Sequence, residues 1–407
     1  MTIPKATKAH ILFASADRFP PFRVDVEVLF GQKLRELGYH IDWVLQADAD
    51  QPKNAVVEWR GGSVYLGATD NGSRFPNRLR RHIRSFLNDL RIRRAQRDRQ
   101  YTAVLVKDKF LAAIIAMLTT SRSKTKFLYW LSYPFPEASL YAARIGTARY
   151  PLLYQIRGRV FGFILYRLIA RRASHIFVQS EQMKRDMHAQ GIPNELMSAV
   201  PMGFLPEPDT GARNEPKTIP GQMVYLGTLL KTRNLDFLIR VLATVRKSRP
   251  DATLLYVGPE ELPGDEEVLR IEATRLGLMD AVTITGRLPR DEAFQIVRES
   301  EVCFSPFYPT PILNSTSPTK LVEYMALGKA PVANDHPEQR DILEASKGGL
   351  CVGYVEAEFA SAALWIMEHP EDAKAMSRRG YDYVMQHRTY ESIAAEVANT
   401  LDRILNG

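Results

Sequence analysis

The chain has 407 residues, 45% hydrophobic and 25% charged, with a formal net charge of +8. That length accommodates two domains, and that balance is the balance of a folded globular protein. It excludes a bilayer-spanning chain: the most apolar run, 160–170, is too short to cross and is interrupted by Arg167.

In chain order, residues 9–15 form an apolar run with strand character, followed by a polar, proline-containing loop over 17–23. Residues 25–38 read as an amphipathic helix with Val28, Leu29, Leu34 and Leu37 on its apolar face and Gly38 at its end, and a strand resumes over 39–45. This is a βαβ opening, the start of a parallel sheet. The first loop lacks Gly-x-Gly-x-x-Gly, so no nicotinamide dinucleotide site is read there. The Asp48-Ala49-Asp50 pair lies in a polar turn, and the histidines show no zinc-like spacing, so no metal is expected.

The positive charge is uneven. Ten arginines fall within 74–99, interleaved with Ile83, Phe86, Leu87, Leu90 and Ile92, which reads as a strongly basic amphipathic helix. A second stretch, 141–172, combines seven arginines with many aromatic residues. Such segments are attracted to anionic membrane surfaces, whereas their apolar content disfavours nucleic acid as the polyanion. A solvated basic face is the plain alternative.

Further strands are expected over 103–106, 126–130, 175–178 and 198–201, with a short helix over 183–190 stopped by Gly191. Residues 204–221 hold four prolines and two glycines with little apolar periodicity, and read as an interdomain linker. Alternation restarts with a strand over 223–227 and a helix over 235–245. Strands over 253–257, 282–285 and 302–304 follow, with a helix over 263–276. The expected division is residues 1–203, the linker, residues 222–385, and a last segment, 386–407, within a helical tail that runs from 357 to 406. Two α/β halves joined in this way imply a cleft between them, the preferred place for a ligand. Cys303 and Cys351 lie in apolar strand-like stretches and read as reduced core residues, which makes a cytoplasmic location the expectation. No N-terminal leader is read.

The most informative stretch is 314–340, NSTSPTKLVEYMALGKAPVANDHPEQR. Ser317 is a good N-cap, Pro318 fits the first helical position, and Leu321, Val322, Tyr324, Met325 and Leu327 form an apolar helix body ended by Gly328. A buried strand is expected over 330–333. Thr319, Lys320 and Glu323 share one helix face. A second loop, Tyr225-Leu226-Gly227-Thr228-Leu229-Leu230-Lys231-Thr232-Arg233, ends a strand in glycine and carries two cations, suited to a diphosphate. Taken by themselves, these features also fit an ordinary helical ion pair and a solvated turn.

The segment around Glu323 resembles the C-terminal half of the Glu-x7-Glu signature of family-4 retaining glycosyltransferases. That resemblance implies an α/β chain of the GT-B fold, two Rossmann-like domains with parallel sheets facing across a cleft. It further implies a nucleotide-sugar substrate, with Glu323 holding the donor ribose, helix amides near Thr319 and Lys320 holding the diphosphate, and Asn314, Ser315 and Ser317 also on the donor side. Position 315 is serine where the family's first glutamate is expected, which leaves the donor sugar open. The Gly227 loop is similar to the family's Gly-Arg-x5-Lys loop, with Thr228 in place of the arginine, Arg233 at the lysine position, and Lys231 able to fill in. Thr285-Gly286-Arg287-Leu288 resembles the segment whose backbone reads the base. In GT-B enzymes the last helix packs back on the first domain.

A leaving diphosphate builds negative charge, which Arg233 and Lys231 would stabilise. A retaining reaction on one sugar face needs no protein nucleophile, so the lack of paired carboxylates is no objection. The aromatic loop 129–137 follows a strand and supplies acceptor-side candidates Ser132, Tyr133 and Glu137, the last also a catalytic candidate, with Arg23 from the first loop. The combined expectation is a metal-independent, cofactor-free transferase. It would act on a glycan or lipid-linked acceptor at the inner membrane face, in surface polysaccharide assembly. A nucleotide-sugar epimerase of the same fold, or a non-catalytic sugar- or nucleotide-binding scaffold, fits the same residues, and turnover with and without acceptor separates them.

Overall fold

A computed structural model describes residues 7–21, 23–48, 54–68, 83–206 and 217–406. Two compact units result: Met1–Pro201 with Tyr390–Gly407, and Met202–Thr389.

The first unit is built on an eight-stranded sheet: β1 (Ala9–Phe19), β2 (Tyr39–Ala47), β3 (Val56–Trp59), β4 (Gly62–Gly67), β5 (Ala103–Lys107), β6 (Lys126–Leu131), β7 (His175–Val178) and β8 (Met197–Ala199). Their order is β3-β4-β2-β1-β5-β6-β7-β8, parallel except for the antiparallel β3–β4 pair. β5 is buried along its whole length, as expected of a parallel strand covered on both faces. β3 and β4 escaped the sequence reading because they are short and joined by a two-residue turn, Arg60-Gly61, in which both residues take positive φ. The helix after β1, Asp25–Lys33 continuing to Glu36, buries Val26, Val28, Leu29 and Phe30. The last helix, Tyr390–Asn406, belongs to this unit, where the Tyr39 hydroxyl donates to the Ala398 carbonyl at 2.9 Å.

The second unit carries six parallel strands: β9 (Ile219–Leu226), β10 (Thr253–Val257), β11 (Val282–Ile284), β12 (Ser300–Ser305), β13 (Pro331–Asn334) and β14 (Leu350–Val352). Their order, β11-β10-β9-β12-β13-β14, is the doubly wound Rossmann order, with the switch between β9 and β12. In the first unit the corresponding switch lies between β1 and β5. Ligands of such sheets bind beyond the carboxyl ends of the strands at these switches, so topology singles out the loops after β9 and β12, and those after β1 and β5.

Several expectations need correction. The linker reading of 204–221 is too long at both ends. Phe204 is a buried core residue stacked on Phe294, and β9 already starts at Ile219. Residues 207–216 lie outside the described residues. Cys351 is exposed, because β14 is an edge strand and alternate residues turn outward; Cys303 is buried as expected, and both thiols are free. Of the basic segment 74–99, residues 74–82 lie outside the described residues. The rest is helical over 83–89 and Arg91–Asp98, with Ile92 and Ala95 turned into the core while Ile83, Phe86 and Leu87 stay exposed. Among the described residues, no helix is long and apolar enough to cross a membrane.

Candidate functional site

The helix Thr319–Ala326 starts one residue later than sequence predicts. Pro318 occupies the cap position, and no side chain caps the helix. Ser317 is turned elsewhere: its hydroxyl accepts from the Met202 N–H at 2.9 Å and donates to Glu338 at 3.0 Å. Glu338, buried, also accepts from Arg388 at 2.8 Å. Burial pushes its carboxyl up, and Arg388 and Ser317 offset part of that rise. The unfilled cap matters because the first N–H groups of a helix have no partner inside it. Those of Lys320 and Leu321 make no backbone hydrogen bond among the described residues, so they are open to an anion.

The loop leading to this helix is held by a buried polar network. Asn334 makes two bonds to the Phe307 backbone, at 2.6 and 3.0 Å. His336, at the start of the helix Pro337–Ser346, accepts from the Gln339 N–H through Nδ1 and donates from Nε2 to the Leu313 carbonyl at 2.9 Å. That carbonyl can only accept, so Nε2 carries the proton. His336 is thus a structural residue that fixes the turn over Pro311–Asn314, and burial lowers its pKa to about 4.

Gly227, immediately after β9, has φ +145°, and a Cβ there would stand 2.2 Å from Lys320 Cε. The absent side chain is therefore what lets Lys320 lie across the end of β9. Gly258, at φ +146° after β10, is packed as closely on the Gly227 carbonyl, 2.4 Å from its own would-be Cβ. Lys320 Nζ sits over the Tyr225 ring at 5.4 Å, while Arg233 donates to the Tyr225 hydroxyl and the Thr228 carbonyl, both at 3.2 Å. Desolvation pulls the Lys320 pKa down and Arg233 adds to this, while Tyr225 and Glu323 oppose it. Glu323, one turn further along the same helix face, has its carboxyl pushed up by desolvation, against the fields of Lys320 and Arg290. No side chain among the described residues hydrogen-bonds it. Two cations, open amides and a carboxyl with no side-chain partner thus gather at the sheet's switch point.

The first unit has its own polar cluster at the corresponding place. Arg23 reaches Asp25 at 3.2 Å, and Asp25 is paired with Lys107, both buried. Burial pushes the Asp25 carboxyl up, but Lys107 and Arg23 overcome it and leave it below the usual carboxylate value. Asp108, in left-handed backbone at φ +57°, accepts from the Ser132 N–H at 2.7 Å and from its hydroxyl. Its carboxyl is raised by burial, with Lys107 and Ser132 offsetting part of the rise.

The family comparison agrees with this layout. Residues 29–203 match the glycosyl transferase 4-like domain, and residues 220–369 match glycosyl transferases group 1. The chain belongs to these glycosyltransferase families. Sucrose-phosphate synthase from Thermosynechococcus elongatus is similar in fold, with a TM-score of 0.71 over 98% of this chain and 100% of its own at 16% identity. Anabaena HepE, solved with UDP and glucose, gives 0.66 over 97% and 100% at 17% identity. A glycosyltransferase from Rickettsia africae gives 0.70 over 98% and 100% at 12% identity. No curated protein matches in sequence. The fold is that of GT-B glycosyltransferases.

In this glycosyltransferase, the sequence-predicted residues fall into distinct groups. Gly227, Thr228, Arg233, Lys320 and Glu323 come together. Lys231 lies next to them in a short helical turn, Lys231–Arg233, with its side chain exposed. Arg287 is exposed and Leu288 half-buried beyond β11. Ser315 is buried and donates to the Pro311 carbonyl at 3.3 Å, and Asn314 is half-buried at the end of the same turn. Ser132 and Arg23 both border the Asp25–Lys107–Asp108 cluster. Glu137 is instead held by the Tyr166 hydroxyl at 2.6 Å, and Tyr133 is exposed with its ring against Phe135. The sequence reading missed Asp25, Lys107 and Asp108. For Lys107 and Asp108 the signal was three charged residues, Lys107-Asp108-Lys109, ending an otherwise apolar strand. Arg290, which acts on Glu323, carried no signal. Asp48 pairs with Arg18 at 3.3 Å, and residues 49–50 lie outside the described residues.

Proposed function

We propose that this protein is a retaining, metal-independent glycosyltransferase that takes its sugar from a nucleoside diphosphate donor bound by the second unit. One observation carries the reading: Lys320, Arg233 and the open amides of Lys320 and Leu321 gather where Gly227 leaves room, with Glu323 one turn along. The diphosphate takes its hydrogen bonds from those amides and its counter-charge from Lys320 and Arg233, with Lys231 at the rim. Glu323 accepts from the ribose hydroxyls, and the backbone at Arg287 and Leu288 lies against the base. Charge that develops on the leaving phosphate is thereby neutralised by groups already in place. HepE, of the same fold, is recorded with UDP and with UDP-glucose, which makes uridine the first base to test.

The acceptor side belongs to the first unit, with Arg23 and Ser132 at the Asp25–Lys107–Asp108 cluster and the exposed Tyr133 next in the chain. A lipid-linked or membrane-bound glycan acceptor, met at the inner face of the membrane during polysaccharide assembly, has a specific support. Residues 138–180 contain no acidic residue, and the helix Pro151–Phe163 exposes Leu152, Leu153, Ile156 and Phe163 beside Arg149 and Arg159. Exposed apolar side chains flanked by arginine suit a bilayer interface with anionic headgroups.

The test is a thermal-shift screen with UDP, GDP and ADP and their common sugars, followed by NMR of the anomeric product. A rise in melting temperature confined to one nucleotide, followed by transfer with the donor's anomeric configuration kept, supports the proposal. Binding without turnover of any donor would make the protein a scaffold. Flotation with anionic vesicles at moderate salt tests the membrane part separately.

A further inference from the structure

A second constellation lies at the other end of the first unit's sheet, away from the carboxyl ends of its strands. β1 and β2 pair in parallel with His10 opposite His40, and His40 and Asp42 share a face two residues apart. The register therefore brings together three metal-type ligands that are spread over 33 positions of sequence. We propose that His10, His40 and Asp42 bind a zinc-class divalent cation that ties β1 to β2.

The geometry supports this directly. His10 Nε2 is 3.2 Å from Asp42 Oδ2, and His40 Nε2 is 3.3 Å from Asp42 Oδ1. All three ligand atoms lie within 4.8 Å of one another. Ligands about 2.0–2.1 Å from a tetrahedral zinc stand about 3.3 Å apart; each histidine already stands at that spacing from one oxygen of the carboxylate, and no pair in the set is more than 4.8 Å apart. His40 supplies an independent observation: its Nε2 is buried and makes no hydrogen bond although a carboxylate stands beside it.

Asp42 is fully buried and oriented by the Ser63 N–H at 2.7 Å and the Tyr101 hydroxyl at 2.8 Å, the kind of outer support that ligating carboxylates need. Two imidazoles and one carboxylate select zinc, cobalt or nickel over magnesium and calcium, which prefer all-oxygen sites. Both histidines are partly exposed, which leaves the fourth position to water. The competitor is Arg99, 3.3 Å from Asp42 Oδ2. Its side chain is 45% exposed and can turn into solvent when a dication enters.

The experiment uses tag-free full-length protein stripped with chelator, loaded with zinc chloride and dialysed, with metal measured by atomic emission. The expected result is about one zinc per chain, a higher melting temperature with zinc than without, and no such rise with magnesium. His40→Ala should weaken binding at least about tenfold, and Arg99→Gln should tighten it. Equal zinc retention by the His40→Ala variant, or none by the unmodified protein, overturns the proposal. Cobalt loading of the unmodified protein gives a check that needs no variant. Tetrahedral d–d bands without a thiolate charge-transfer band support the His–His–Asp set, whereas a thiolate band moves the metal to a cysteine and overturns it.

Discussion

Gly227 and Lys320 compete for one volume: a Cβ on the glycine would lie 2.2 Å from the lysine Cε and 2.9 Å from its Nζ. With φ at +145°, even alanine at 227 would be strained by about 1–3 kcal/mol and would push Lys320 off the end of β9. Gly227→Ala is therefore expected to weaken nucleotide diphosphate binding by at least about tenfold, as read by calorimetric titration. A loss of melting temperature with unchanged affinity would show that the close approach serves packing alone.

Lys320 gives a sharper test, because stability and binding should move in opposite directions. Desolvation disfavours its charge in the empty protein. Lys320→Met keeps the aliphatic stem over Tyr225 and removes that cost, so the unliganded variant should melt at or above the parent temperature. Donor binding should fall by about 10–100-fold, because a charge-assisted contact to phosphate is lost. Parallel losses of both would place Lys320 in the scaffold.

Glu323 should be read out through the ribose. If its carboxylate accepts from the sugar hydroxyls, the parent protein prefers UDP over its 2′,3′-dideoxy form, and Glu323→Ala abolishes that preference. The coupling from such a double-mutant cycle should be about 1–3 kcal/mol. Glu137→Ala, a change at a residue tied to Tyr166, should leave it intact. A preference that survives Glu323→Ala would remove the ribose assignment.

Much of this was legible in the sequence where one segment contained the whole signal. The β9–Gly227 turn, the helix carrying Lys320 and Glu323, and most strands announce themselves through apolar runs punctuated by glycine. What failed did so for physical reasons. Ser317 reads as an N-cap because capping is a local habit, yet its hydroxyl oxygen accepts from the Met202 N–H, 115 residues back, instead of from the helix, while its proton goes to the buried Glu338 carboxylate. Phe204 sits among prolines and reads as linker, but its ring partner Phe294 is 90 residues away. The His10–His40–Asp42 grouping has no spacing to find, because it is produced by strand register. The Asp25–Lys107 pair likewise exists only once β1 and β5 are neighbours.

The buried histidine His336 makes stability depend on pH in a direction that can be worked out. Its folded pKa is about 4 against the ordinary histidine value of 6.5, because burial disfavours the charged ring. Between these values the unfolded chain binds the extra proton and the folded protein does not, so stability rises with pH. The contribution is fully present above pH 6.5 and is lost progressively as pH falls towards 4. From pH 7.5 to 5.0 the loss from this group should be about 2 kcal/mol. Protonated Nδ1 can no longer accept from the Gln339 N–H, so the helix Pro337–Ser346 would lose its cap. His175, also near 4, adds a loss of the same sign. Asparagine can cap a helix but does not titrate, so His336→Asn should shrink the difference between urea midpoints at pH 7.5 and 5.0 without abolishing it. An unchanged difference would mean that the ring at 336 titrates alike in the folded and unfolded chains.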